Sequence, residues 1–125
     1  MNIFGIGIDI VDRERINKIY TKYGNKFAEK ILNEREFKGF NLSKNKPSFL
    51  AKRFAAKEAI GKALGIGIRN GFLLKNISIE HDDHGKPIVK LNERKEFKLY
   101  LNKIIHVSIS DERKFAVANA LILTK

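Results

Sequence analysis

The sequence contains no cysteine among its 125 residues. Disulfide bonds, thiolate zinc sites and a cysteine nucleophile are therefore excluded, and the lack of disulfides is compatible with a reducing cytoplasm. No apolar run approaches the ~20 residues of a membrane-spanning helix. The first residues, Met-Asn-Ile-Phe-Gly-Ile-Gly, lack the basic region of a signal peptide. We therefore expect a cytoplasmic protein that does not act at a membrane.

Disorder is also disfavoured by the composition. Hydrophobic residues make up 43% of the chain, and phenylalanine occurs nine times, which is typical of a globular fold. A chain of this length can bury a core without metal or disulfide cross-links. Because no repeat or linker-like stretch divides the sequence, we expect one domain over residues 1–125.

Acidic residues are few, 14 against 25 basic ones, so the formal net charge is +11. A strong positive field attracts polyanions, which include nucleic acid, an anionic membrane surface, a phosphorylated ligand and an acidic protein. A nucleic-acid-binding module is one hypothesis. It is disfavoured because the basic residues are spread along the chain, no nucleic-acid-reading motif is present and the aromatic residues fall at core spacings.

Residues 3–11 alternate between apolar and small or polar side chains, which predicts a strand with one apolar face. The opposite face carries Gly5, Gly7 and Asp9. Because the two glycines leave that face bare, another backbone or a ligand can approach it closely. An isolated aspartate near a strand end ordinarily helps a turn, but the flanking glycines favour a functional site at Asp9.

The next stretch predicts two short helices with a basic surface. Asp12 can cap a helix that runs to about residue 23. The exposed cations of the two helices are Arg15, Lys18 and Lys22 on the first and Lys26 and Lys30 on the second. This surface is either an ordinary solvated face or a docking strip for an acidic partner helix.

Beyond residue 32 the pattern predicts helices and hairpins. The expected elements are a short helix from residue 33, a loop at 43–47, a central helix at 49–64, strands at 77–81 and 87–91, a helix at 92–103, and a final hairpin with strands at 105–110 and 115–123. Asn33, Ser48 and Asn92 can cap the three helices, and Gly65 can end the central one. The tip of the first hairpin, His-Asp-Asp-His at 81–84, has metal-ligand chemistry. We interpret it as a polar turn, since polar residues crowd hairpin tips.

The central helix places one carboxylate, Glu58, among Arg53, Lys57 and Lys62. Asp9 and Glu58 could supply the oxygen ligands of a magnesium ion if the strand end and the helix meet. A diphosphate on that ion would also need cations, and the three basic residues are candidates. The alternative is that Glu58 and Lys62, at i and i+4, form a surface ion pair worth about 0.3–0.5 kcal/mol.

Two further segments could contribute. The polar face of the last hairpin, with His106 and Ser108, could bind another phosphate or direct a proton. The glycine-rich residues 65–71 match no Walker or Rossmann pattern, so on their own they are a weak indication of phosphate binding.

Three motifs together resemble a known family. They are Gly5-Ile-Gly-Ile-Asp-Ile-Val11, Arg53-Phe-Ala-Ala-Lys-Glu-Ala59 with Lys62 and Gly65, and His106-Val-Ser-Ile-Ser110. In order and spacing they are similar to the motifs of the holo-acyl-carrier-protein synthases, the short type of 4′-phosphopantetheinyl transferases. The resemblance implies an α+β subunit, with an antiparallel sheet packed on a long central helix, that assembles into homotrimers with sites at subunit interfaces.

The resemblance also implies an activity. Such an enzyme moves 4′-phosphopantetheine from coenzyme A to a serine of apo-acyl carrier protein, as in fatty acid biosynthesis, and releases adenosine 3′,5′-bisphosphate. The nucleophile belongs to the carrier, which is compatible with the missing cysteine. Glu58 and a metal-held water are both candidates for the base. An inactive scaffold of the same fold is the alternative, and the intact carboxylates argue against it.

Roles for individual residues follow from the same resemblance. Asp9 and Glu58 match the Mg²⁺ ligands, with Glu58 and Lys62 as the catalytic pair. Arg53, Lys62, Gly65 and His106 match positions along coenzyme A. The docking surface for the carrier's acidic helix would be formed by Arg15, Lys18, Lys22, Lys26 and Lys30. Some members of the family carry His at the position of Asp111.

Overall fold

A computed structural model describes residues 1–66, 72–92 and 95–125. In chain order its elements are β1 (Ile3–Asp12), α1 (Arg13–Tyr23), α2 (Asn25–Ile31), α3 (Glu34–Leu42), α4 (Lys46–Leu64), α5 (Phe72–Asn76), β2 (Ile77–His81), β3 (Pro87–Leu91), a 3₁₀ helix (Lys95–Tyr100), β4 (Ile104–Asp111) and β5 (Phe115–Leu123). The strands form an antiparallel three-stranded sheet in the order β1-β5-β4 and an antiparallel β2-β3 hairpin. The expected α+β class is confirmed.

Helix α4 packs on the inner face of the three-stranded sheet at very short range. A Cβ atom at Gly5 would overlap the carbonyl oxygen of Ala63, and one at Gly7 would overlap that of Ala59. On β5, alanines 116, 118 and 120 are buried on the same side. The bare face of β1 is therefore occupied by the backbone of α4, and this close packing brings the end of β1 beside the helix.

The other face of the sheet is apolar and uncovered. Ile6, Ile8 and Ile10 of β1 are between 60 and 64% exposed. The register places their strand beside β5, where Val117 and Leu121 alternate with the buried alanines. In β4, His106 pairs with Leu121 and lies on this same outer face. A monomer would leave this surface in water.

Most predicted caps and strands agree with the structure. Asp12 accepts a hydrogen bond from the Glu14 amide (2.8 Å) at the start of α1. Asn33 forms a capping box with Glu36 at the start of α3. Gly65 ends α4 with a left-handed φ of 80°. The strands at 77–81 and 87–91 lie where they were expected.

The predicted start of the central helix is wrong by three residues. Helix α4 begins at Lys46, and Asn45 rather than Ser48 caps it by accepting from the Ser48 amide at 3.1 Å. Pro47 was interpreted as part of a loop, but it lies in the first turn, where its missing amide hydrogen costs no helical bond. The Ser48 hydroxyl donates instead to Asp111 at the end of β4 (3.0 Å).

The region before β4 also differs from expectation. The helix predicted over 92–103 is a 3₁₀ helix at Lys95–Tyr100, and residues 93–94 lie outside the described residues. We expected Phe97 and Leu101 to lie on the inner face of this helix. Phe97 is fully buried, but the expectation is wrong for Leu101, which is 44% exposed. Helix α5 was not predicted. Within the described ranges, no helix is long and apolar enough to cross a membrane.

Candidate active site

The carboxylate cluster, which consists of Asp9, Glu58 and Lys62, forms where β1 meets α4. Asp9 follows Gly7 on the face of β1 that packs on the helix. The Lys62 ammonium lies 3.0 Å from the Asp9 carboxylate and 2.9 Å from the Ile8 carbonyl oxygen. Glu58 is one turn earlier on α4, on the same side as Lys62. Strand end and helix therefore meet as the sequence predicted.

The electrostatics of the cluster favour a bound cation. Partial burial raises the pKa of Glu58, the Asp9 carboxylate raises it further, and Lys62 opposes both effects. In the part of the chain that the structure describes, no ion pair joins Glu58 to Lys62, so the alternative of an i, i+4 surface pair is wrong and Lys62 pairs with Asp9 instead. Two neighbouring carboxylates suit Mg²⁺, which binds one or two carboxylates and retains water.

A second polar region lies on another side of α4. We call it the hairpin cleft, a cavity of about 600 Å³ whose basic lining residues are Lys52, Arg53, His81 and Lys86. Burial, together with the charges of Arg53 and Lys52, lowers the pKa of His81, and Asp82 opposes the effect. One carboxylate, Asp111, also lines the cleft, so the charges of Lys52, Arg53 and Lys86 exceed it and the cleft can attract an anion.

Of the residues in this cleft, the sequence analysis identified Arg53 and Ser108 as candidates for phosphate binding. Lys52 was recognisable as the neighbour of Arg53, but nothing in the sequence indicated that β3 packs beside β4 and β2 beside α3, which brings His81 and Lys86 to the same cleft. The turn interpretation of the tip agrees with the structure, since Asp82 accepts from the amides of His84 (2.8 Å) and Lys86 (2.9 Å).

Lys57 was a candidate cation for the diphosphate, and the structure contradicts this. Its ammonium is fully buried and donates to Glu36 (2.6 Å) and to the carbonyl oxygens of Ile31 (2.6 Å) and Leu74 (2.8 Å). Burial lowers the pKa of Lys57 to about 8, although Glu36 opposes the shift. Lys57 is a structural residue that joins α4 to α2, α3 and α5.

The family model of the 4′-phosphopantetheinyl transferase superfamily matches residues 5–120. The chain belongs to this superfamily. It is 44% identical to holo-[acyl-carrier-protein] synthase of Vibrio atlanticus over 98% of both chains. It is 45% identical to the protein of that name from Aliivibrio salmonicida, over 97% of this chain and 98% of the relative.

Solved structures of the superfamily have the same fold. The crystal structure of the synthase from Neisseria meningitidis is 38% identical, with a TM-score of 0.88 over 98% of this chain and 99% of that one. The synthase from Bacillus anthracis in complex with CoA (3′,5′-ADP) is also 38% identical, with a TM-score of 0.84 over the full length of both. The fold of this transferase chain is thus that of holo-acyl-carrier-protein synthases.

Not all of the superfamily motif residues meet within one chain. His106 is exposed on the outer face of the sheet, whereas α4 lies on the inner face. Ser108 faces outward too, although it borders the hairpin cleft. Gly65 ends α4 beyond Glu58. The glycine-rich segment that follows, which we expected near the nucleotide, includes residues 67–71, and these lie outside the described residues. Within one chain the motif residues therefore lie in three places, which are the carboxylate cluster, the hairpin cleft and the outer face of the sheet.

The residues of the predicted docking strip lie on two successive helices. They are Arg15, Lys18 and Lys22 on α1 and Lys26 and Lys30 on α2, and all five are exposed. Asp111 accepts a hydrogen bond from the Ser48 hydroxyl and lies 3.8 Å from Arg13. It ties the end of β4 to the starts of α4 and α1.

Proposed function

We propose that this chain transfers the 4′-phosphopantetheine group of coenzyme A to a serine of apo-acyl carrier protein, which gives the holo-carrier and adenosine 3′,5′-bisphosphate. Superfamily membership and the relatives named holo-[acyl-carrier-protein] synthase support this activity. The observation that carries it is the carboxylate cluster, which brings Asp9 of the first motif against Glu58 and Lys62 of the second. Residues 1–125 act as one domain in this proposal.

The carboxylate cluster would hold Mg²⁺ through Asp9 and Glu58. The ion supplies positive charge against the diphosphate of coenzyme A, whose oxygens gain negative charge during transfer. A bond forms between the serine oxygen and the phosphorus that carries pantetheine, and the bond from that phosphorus to the nucleotide phosphate breaks. Lys62 orients Asp9 and places its ammonium beside the leaving phosphate. Glu58 and a metal-held water are the two candidates for the base that accepts the serine proton.

The arrangement of the sites around α4 supports active sites at subunit interfaces. Arg53 and Lys62 are nine residues apart, so at 3.6 residues per turn they lie about 180° apart around the helix. One coenzyme A molecule that used both residues would therefore bind the carboxylate cluster of one subunit and the hairpin cleft of another.

The outer face of the sheet supports the assembly that this requires. Ile6, Ile8 and Ile10 form an exposed apolar row, and such patches mark protein interfaces. We infer that these faces meet in a homotrimer, which also brings His106 to an interface. The exposed cations of α1 and α2 would receive the acidic helix of the carrier. We place the enzyme in the cytoplasm, where a reducing environment matches the cysteine-free sequence.

The test is to incubate the protein with coenzyme A, Mg²⁺ and an apo-carrier protein. Mass spectrometry should show that the carrier gains one phosphopantetheine, and a chelator should prevent the gain. A carrier whose serine is replaced by alanine is the control and should stay unmodified. If a folded enzyme modified none of several apo-carriers, the proposed activity would be wrong. Light scattering measures the oligomeric state independently.

A further inference from the structure

Glu36 is a buried carboxylate that the proposed reaction does not use. It is 3% exposed and accepts hydrogen bonds from four donors. These are the amides of Asn33 (3.1 Å) and Ile79 (3.3 Å), the Lys57 ammonium (2.6 Å) and the Arg53 Nε (3.1 Å). A carboxylate with this many donors has little freedom to move, so it is a rigid support for the groups that it binds.

The hydrogen bond from Arg53 to Glu36 leaves the two terminal nitrogens of the guanidinium available to a ligand. It uses Nε, and among the residues that the structure describes neither terminal nitrogen of Arg53 donates a hydrogen bond. The Phe49 ring lies under the guanidinium, 4.4 Å from the central carbon to the ring centre. Glu36 therefore fixes one edge of the guanidinium, and Phe49 fixes one face. Arg53 also lines the hairpin cleft. The free fork of two nitrogens suits a phosphate.

The charges around Glu36 do not balance. One carboxylate serves two cations, Lys57 and Arg53. Lys57 is enclosed by three oxygen acceptors, so the excess positive charge lies at Arg53. Arg53 therefore shares its one carboxylate partner with Lys57, and an anion in the hairpin cleft would supply the negative charge that the cluster lacks.

We propose that Glu36 is a positioning residue, which fixes the guanidinium of Arg53 so that its terminal nitrogens bind a phosphate group of coenzyme A. The inference rests on the proposed function, because that function puts coenzyme A in the cleft. The inference predicts the direction in which coenzyme A affinity changes when Glu36 is replaced. A carboxylate near a bound phosphate repels it, so if only its charge mattered, removing Glu36 would tighten coenzyme A binding. Loss of positioning weakens binding instead.

The decisive variant is Glu36→Gln, because a glutamine has one acceptor oxygen and cannot serve both cations. We expect the Kd and KM for coenzyme A to rise about tenfold, the lower end of what loss of an orienting residue costs at metal sites. The KM for the carrier should not change. Glu34→Gln is the matched control, since it makes the same change at an exposed position of the same helix, α3, and it should keep wild-type affinity for coenzyme A.

A double-mutant cycle separates positioning from general damage to the fold. In an Arg53→Ala background, Glu36→Gln should cause no further loss of coenzyme A affinity. A folded Glu36→Gln protein with unchanged or tighter coenzyme A binding would overturn the inference. So would an effect of full size in the Arg53→Ala background.

A second variant decides the question if Glu36→Gln does not fold. Arg53→Lys keeps the charge, but a lysine has one nitrogen and cannot bond to Glu36 and offer two terminal nitrogens to a phosphate at the same time. The coenzyme A affinity of this variant should therefore fall nearly to that of Arg53→Ala. Wild-type affinity in Arg53→Lys would refute the inference. Failure of the proposed function looks different, because the wild-type protein would then neither bind coenzyme A nor modify a carrier.

Discussion

The Lys62 ammonium lies 3.0 Å from the Asp9 carboxylate, although the two residues are 53 positions apart in the chain. The bond exists because Gly5 and Gly7 let the backbone of α4 approach β1. In the metal-free chain the ammonium offsets part of the repulsion between Asp9 and Glu58. The packing of one strand on one helix therefore builds the site that the chemistry needs.

Neutralising either carboxylate should stop catalysis without unfolding the protein. For Glu58→Gln and Asp9→Asn we expect turnover to fall at least about 10²-fold, because transition-state charge loses its support. Metal-free Glu58→Gln should melt at or above the wild-type temperature, since burial and Asp9 both disfavour the charged form of Glu58. Mg²⁺ should stabilise the wild type but neither variant in a thermal melt. Full activity in either variant would remove our assignment of the metal ligands.

Replacing Lys62 should separate metal binding from turnover. In Lys62→Met the cluster keeps two carboxylates and loses a competing cation, so calorimetry should show Mg²⁺ binding that is equal or tighter. Turnover should fall about 10²-fold, because the ammonium beside the leaving phosphate is gone. Weaker Mg²⁺ binding would show that Lys62 supports the ion, and unchanged turnover would remove its catalytic role.

A methyl group at Gly7 should destabilise the fold. Its Cβ would overlap the Ala59 carbonyl oxygen, so α4 must move away from β1. We expect Gly7→Ala to lower the free energy of unfolding by about 1–3 kcal/mol, as measured by denaturant titration. Gly39→Ala is the control, since its added Cβ meets only the Phe49 ring at ordinary distance. Equal stability of the two variants would contradict the close-packing argument.

The parts of the fold and of the carboxylate cluster that could be predicted from the sequence were those with a local sequence pattern. The alternation around Asp9 and the helical spacing of Glu58 and Lys62 predicted two halves of one site, and the structure brings them together. The start of α4 was misplaced because Asn45 and Ser48 are both good caps and Pro47 was interpreted as a breaker. Local competition of that kind shifts element ends without changing the fold.

Features that depend on contacts between distant parts of the chain could not be predicted from the sequence. Arg53 and Lys57 have the same helical spacing as Glu58 and Lys62, and no pattern shows that one cation is enclosed and the other borders a cleft. That difference depends on Glu36 in α3, whose only local signal was the capping box with Asn33. The basic lining from the β2-β3 hairpin likewise depends on tertiary packing.

The outer face of the sheet should control assembly. Ile6→Lys places a charge in the exposed row of β1, so we expect the oligomer to dissociate and specific activity to fall while the far-UV circular dichroism stays the same. Leu42→Lys is the control, because Leu42 is 84% exposed at the end of α3, away from the sheet. Light scattering distinguishes the two. An intact trimer in Ile6→Lys, or a wild-type monomer of full activity, would contradict the proposed interface.

The basic helices should affect the carrier and not coenzyme A. In Lys18→Glu and Lys22→Glu the attraction for an acidic helix becomes repulsion, so the KM for the carrier should rise about 2–5-fold for each change, as expected for solvent-exposed charges. Added salt should shrink the difference, because it screens such pairs. Lys44→Glu, exposed on the loop between α3 and α4, carries the same charge change and should leave the carrier's KM near its wild-type value. Equal effects at all three positions would mean that net charge, and not a defined docking strip, attracts the carrier.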